Sequence, residues 1–166
     1  GAGLFLRTLT NLRHVDIGFN PQNLLLFRIN PSLNRYDEKR TLALYREMLD
    51  RLGAVPGVSA VAMSAPALLS GSVNGTAIFV HGRTYAPDVR DRDNNINRLV
   101  VSPNFFDVMG IPVLSGRGVT ERDSETAPKV VVINQAAAQK YFAHENPVGQ
   151  RMGSNLETAS QFEIVG

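Results

Sequence analysis

The stretch Val101–Gly118 constrains this chain more than any other. It reads as the end of a strand, a short capped helix, a tight turn and a polar loop. Ser102 is the expected helix cap, Pro103 suits the first helical position, and Gly110 with Pro112 stops the helix within a few turns. Phe105, Phe106 and Met109 supply one apolar helical face, and Val113-Leu114 are expected to continue inward beyond it. Nothing in the stretch is a nucleophile, a metal ligand or a phosphate cradle, so the anchor of the chain is architectural.

On either side of that anchor the pattern alternates strands with short helices, which fits an α+β (mixed α/β) fold with a mixed sheet. Leu24–Ile29 reads as a strand, largely buried at its start. Asp37 is expected to cap a helix whose apolar positions Leu42, Tyr45, Leu49 and Leu52 run to Gly53, with Glu47 and Arg51 as an i,i+4 pair. Pro56-Gly57 turns the chain into a second strand, Val58–Met63, giving a split βαβ unit. Thr76–Val80 and Ile96–Val101 are further strands. Val130–Ile133 is read as a buried strand, Asn134 as the cap of an Ala-rich helix, Asn146–Gly149 as a turn, and Gln150–Met152 as a strand with a hairpin partner at Phe162–Val165.

Composition removes whole classes of function. The 166 residues carry 17 Lys and Arg against 15 Asp and Glu, interspersed without a basic stripe, which excludes a nucleic-acid footprint. There is no cysteine, hence no thiolate chemistry, disulfide or Cys-based zinc site in this segment. His14, His81 and His144 stand in separate turns or loops, with no carboxylate at metal-ligand spacing, so no metal site is expected. Gly71-Ser72-Val73-Asn74-Gly75 has Gly-Ser-x-x-Gly spacing rather than that of a nucleophile elbow, and reads as a flexible turn. Asp88, Asp91 and Asp93 alternate with Arg90 and Arg92, a self-neutralised rim rather than a calcium loop. Gly116-Arg117-Gly118 offers backbone N–H groups to an anion, but no Lys-Ser/Thr follows as a phosphate loop requires. No acid, base and nucleophile set assembles, so no catalytic residue and no cofactor are assigned.

The chain opens Gly1-Ala2-Gly3 and stops inside a strand-like run, so an excised piece of a longer protein is expected. Residues 1–15 read either as the last turns of a membrane-spanning helix, with Arg7 and Arg13 near the water, or as an ordinary amphipathic helix presenting Leu6, Leu9 and Leu12 to a core.

Taken together, an ordered series of short motifs resembles the MacB-like periplasmic core domain of FtsX-type ABC transporter permeases, most closely those of acidobacterial type. The series runs Ala2–Leu9, Val15–Pro21, Val55–Val58, Val101–Phe106, Gly110–Arg117, Val132–Gln135, Asn146–Met152 and Glu163–Gly166. The resemblance implies a non-catalytic domain outside the bacterial inner membrane, built from a porter-like βαβ lobe and a smaller second lobe, over residues 16–166 with an inserted lobe near 76–125. It implies attachment to the permease's own transmembrane helices, indirect coupling to a cytoplasmic ATP-binding subunit, engagement of substrate or a periplasmic partner protein, and pairing of permeases as a homodimer. Export and mechanical signalling both occur among such permeases. The loops Ser64–Gly75 and His81–Asn95 are the expected moving surfaces, with Leu68, Leu69, Asn74, Arg83, Tyr85 and Arg90 as candidate interaction residues. A different reading is a soluble peptide- or small-ligand-binding module with a cleft between its lobes.

Overall fold

A computed structural model describes residues 18–31, 37–86, 95–124 and 126–166. The N-terminal segment, Arg90 and its alternating Asp/Arg neighbours lie outside the described residues.

In chain order the described elements are helix α1 (Glu38–Gly53), strands β1 (Ser64–Ala65), β2 (Asn74–Ala77), β3 (Phe79–Val80), β4 (Asn95–Arg98) and β5 (Val100–Val101), helix α2 (Phe105–Met109), β6 (Val130–Val131), helix α3 (Gln135–Phe142), β7 (Arg151–Gly153) and β8 (Phe162–Ile164). The fold is α+β. Its largest sheet has the order β3-β7-β8-β6 and is mixed: β6 and β8 run parallel, the other two pairings antiparallel. The hairpin of β7 and β8 stands as expected, with Arg151 opposite Glu163 and Met152 opposite Phe162.

The core forms where α3 packs on this sheet. Asn134 caps the helix, its side chain accepting the Ala137 N–H at 2.9 Å. Tyr141 and Phe142 at the far end meet Ile78, Val80, Met152 and Ile164, with Val131, Ile133 and Phe162 closing around them. Ile164 and Val80 are almost wholly buried, which stabilises by about 1.5–3 kcal/mol for each such side chain. Within the segment near 76–125, strand β3 contributes Val80 to this core and pairs with β7. Val130 and Val131 are only half-buried, less than their continuous β-branched run suggested.

Elsewhere the structure departs from the sequence reading. Asp37 does cap α1, accepting the Arg40 N–H at 2.8 Å, and Glu47 pairs with Arg51. Yet neither Leu24–Ile29 nor Val58–Met63 is a strand, so the expected split βαβ unit does not close among the described residues. A strand exists only when a neighbour accepts its hydrogen bonds, and no ladder is made there; Leu25, Leu26 and Phe27 are exposed rather than buried.

The anchor stretch is rebuilt in a similar way. Asn104, in the left-handed region at φ 61°, occupies the N-terminal position of α2 and makes no side-chain cap. Ser102 is committed elsewhere: its Oγ accepts the Met63 N–H at 2.8 Å and its own N–H donates to the Met63 carbonyl at 3.0 Å. Gly110 ends the helix at φ 63° as expected. Phe105 and Met109 are buried, but Leu114 is exposed and does not continue inward.

Candidate functional site

The two small ladders make one feature. β1 pairs with β5 in the register Ser64 to Val101 and Ala65 to Val100. β2 pairs with β4 from Asn74 opposite Arg98 to Ala77 opposite Asn95. Along one side the chain passes from Arg98 to Val100 through Leu99 alone; along the other it passes from Ala65 to Asn74 through the whole of 66–73. The two ladders are therefore an antiparallel ribbon from which 66–73 projects. One end of the ribbon is rooted in the core through Ile78 and Ile96. The other is tied by the Met63–Ser102 bonds.

Local chemistry fixes the projection. Ser70 Oγ donates to the Ala67 carbonyl at 2.6 Å and accepts the Ser72 N–H at 3.2 Å, closing the loop on itself. Leu69 sits at its tip in the left-handed region, φ 57°, and is 79% exposed; Val73 is 66% exposed. Leu68, the residue before, is half-buried. The loop therefore displays one of its two leucines. Across the ribbon Leu99 and Val100 are exposed as well.

The remaining candidates divide. Asn74 opens β2 and is exposed opposite Arg98, directly after Val73. Arg83 and Tyr85 belong to a different structure, a clasp on the core. The Arg83 guanidinium lies 5.0 Å over the Phe142 ring and reaches Glu145 at 3.4 Å. Tyr85 stacks edge-on against Phe79 with centroids 5.1 Å apart, and its Oη accepts the buried Val80 N–H at 2.7 Å. These contacts hold the described part of the His81–Asn95 rim against α3 and β3. Arg90 lies outside the described residues.

A bidentate ion pair among the described residues was not visible in the sequence. Arg117 Nη1 and Nη2 grip Asp123 in a bidentate pair at 2.7 and 2.8 Å. Thr120 donates its N–H and Oγ1–H to the same carboxylate at 2.8 and 3.1 Å. The hydrogen-bonded Arg117 guanidinium holds the Asp123 carboxyl well below its usual range, and the same bond from the Asp123 side raises the Arg117 pKa. The Arg117 N–H meanwhile donates to the Val165 carbonyl at 2.7 Å. Gly116-Arg117-Gly118 is thus a loop tied to the end of β8 rather than an open anion cradle.

Among the described residues no three His, Asp or Glu side chains converge as a metal site, and no polar or charged residue is fully buried. No helix among them is long and apolar enough to cross a membrane. The candidate surface is the projecting loop and its ribbon. Arg98 belongs to it and was missed, although it is the lone formal charge in Asn95–Val101.

Comparison with known proteins agrees with the motif series. The family model of the MacB-like periplasmic core domain matches residues 4–166. The macrolide export ATP-binding/permease protein MacB of Aggregatibacter actinomycetemcomitans is 33% identical over 66 residues, 40% of this chain and 10% of that protein. The crystal structure of the periplasmic region of MacB from Actinobacillus actinomycetemcomitans superposes with a TM-score of 0.53 at 21% identity, over 73% of this chain and 48% of that one. The chain thus spans about half of that periplasmic region and a tenth of the whole relative.

Proposed function

Since the chain belongs to the MacB-like periplasmic core domain family, we propose that it is the non-catalytic extracytoplasmic domain of an ABC transporter permease. In this reading residues 16–166 stand outside the inner membrane, and residues 1–15 lead out of a spanning helix. A cytoplasmic ATP-binding subunit hydrolyses ATP, and the domain transmits the resulting movement to export or to mechanical work beyond the membrane. The permease pairs as a homodimer. The observation that carries the reading is the family match over nearly the whole chain.

The absence of cysteine from this segment makes a direct test available. Ser72→Cys, on the exposed projection, is introduced into the full-length protein and spheroplasts are treated with a membrane-impermeant maleimide. Labelling of intact spheroplasts is expected. Labelling only after permeabilisation would place the domain on the other side of the membrane and overturn the reading. Shortening the projection is expected to reduce export while leaving thermal stability nearly unchanged, because its side chains contribute little to the core.

A further inference from the structure

The segment Asn104–Gly118 is held near both ends by backbone hydrogen bonds to parts of the chain far from it in sequence. At one end the Asn20 N–H donates to the Met109 carbonyl at 2.9 Å. At the other the Arg117 N–H donates to the Val165 carbonyl at 2.7 Å. Each contact has a glycine where a side chain would stand in the way. A Cβ on Gly110 would lie 2.9 Å from the Asn20 Cβ, and one on Gly116 would meet the Val165 carbonyl. Val165 also donates its own N–H to the Val131 carbonyl, and Gly166 accepts the Ile133 N–H, each at 3.0 Å. Just past β8 the chain is therefore bound on one side to β6 and the residues that follow it, and on the other to the Arg117 loop.

Between those ends the segment is closed on itself. The Val108 N–H donates to the Asn104 carbonyl at 3.0 Å, and after the helix the Ile111 N–H reaches back to the Phe106 carbonyl at 2.8 Å. Phe105 and Met109 are buried, and the Phe105 and Phe106 rings stand edge-on with centroids 5.7 Å apart. The loop then returns onto α2, since a Cβ on Gly118 would lie 3.3 Å from the Phe106 ring. The Arg117–Asp123 pair and the Thr120 N–H fix the chain beyond it. A packed, internally bonded piece of this kind shifts as a body rather than stretching.

We propose that residues 104–118 form a two-ended strap through which a displacement of the chain at Asn20 is carried to the end of β8, and so into the mixed sheet. Coupling over such a distance needs a contiguous rigid element in contact with both sites, and α2 with its returning loop supplies one. Both end contacts are made by the backbone, with no long side chain to take up the movement. In the transporter reading Asn20 lies just past the segment that leads out of the spanning helix, so the strap would be the place where movement of that helix enters the sheet. The origin of the displacement rests on that reading, and the coupling does not. Failure of the maleimide experiment would remove the origin alone.

Hydrogen exchange read by mass spectrometry on the full-length protein in detergent tests the coupling. Asn20→Cys with Gly110→Cys places two thiols at the entry contact, in a segment that has no cysteine of its own. The Cβ positions, 2.9 Å apart, need only part slightly to reach the disulfide range of about 3.5–4.5 Å. With the disulfide closed, peptides covering 114–118 and 162–166 are expected to exchange about tenfold more slowly than after dithiothreitol, the effect of roughly one hydrogen bond. Coupling between two sites is reciprocal, so Gly116→Ala is expected to speed exchange of peptides covering 19–24 by about the same factor. Peptides of α3 and β7 should be unchanged in both experiments. Far-end exchange that is the same with the disulfide open and closed would overturn the proposal, as would parent-like exchange over 19–24 in Gly116→Ala. Failure of the disulfide to close would contradict the seating of Gly110 on Asn20 and overturn it too. If α3 exchanges faster in Gly116→Ala, the fold itself has loosened and the comparison of open and closed disulfide decides.

Discussion

Replacing Gly116 with alanine tests how the loop after α2 is held against the C-terminal strand. Gly116 has φ +72°, and a Cβ there would stand 2.1 Å from the Val165 carbonyl oxygen and 2.9 Å from its carbon. The left-handed region costs a non-glycine residue about 1–2 kcal/mol. The clash adds to this, because the loop must retreat and so break the Arg117 N–H to Val165 carbonyl bond at 2.7 Å. Loss of that bond, with Val165 itself buried, contributes about 1–2 kcal/mol more. Gly149→Ala is the matched control: its φ is +89°, and nothing lies within 4 Å of a Cβ there. Subtracting one variant from the other cancels most of the conformational term and leaves the clash and the lost bond, about 2 kcal/mol. Urea unfolding followed by far-UV circular dichroism reads that difference directly. In a thermal scan it corresponds to roughly 4–8 °C for a chain of this size. If the two variants agreed within about 0.5 kcal/mol, the loop would not be seated on β8 and the role given to Arg117 would fall with it.

Two further outcomes follow from the same contacts. Tyr85→Phe removes the acceptor of the buried Val80 N–H and is expected to lower stability by about 1–3 kcal/mol in chemical denaturation; an unchanged midpoint would mean the rim is not clasped to β3. For Asp123, a carboxyl held low in the folded state gives a contribution fully present at neutral pH that begins to be lost as the pH falls toward the unfolded carboxylate value, about 3.9. The gap in urea midpoint between the parent and Asp123→Asn should therefore narrow between pH 7 and pH 3, whereas a gap independent of pH would refute the Arg117–Asp123 clamp.

Local features could be read from the sequence because their causes are local. Asp37 and Asn134 cap helices through bonds reaching three residues along the chain. Gly110 stops α2 because a glycine enters positive φ without hindrance. The β7–β8 hairpin was legible for the same reason, since its two strands lie about ten residues apart. Ser102 was misread because its hydroxyl had two claimants, the following helix and a backbone N–H at Met63, and only the fold decides between them. Leu24–Ile29 shows the limit in another form: a continuous apolar run describes what a strand would bury, but a ladder needs a partner that lies elsewhere in sequence.

The candidate site was legible in half. The small-residue run Ser64–Gly75 announced a loop, and Leu68, Leu69 and Asn74 were singled out within it. That this loop interrupts a ribbon, opposite Leu99 alone, follows only from the register of two ladders. The register then gives Arg98 its meaning. In sequence it is one arginine among evenly mixed charges; in the fold it stands opposite Asn74, where the 66–73 projection rejoins the ladder. Arg83 moves the opposite way, because the clasp on Phe142 and Glu145 accounts for its charge without any partner. Two arginines thus stand differently: Arg83, from a loop, holds the fold together, and Arg98, from strand β4, is exposed opposite Asn74.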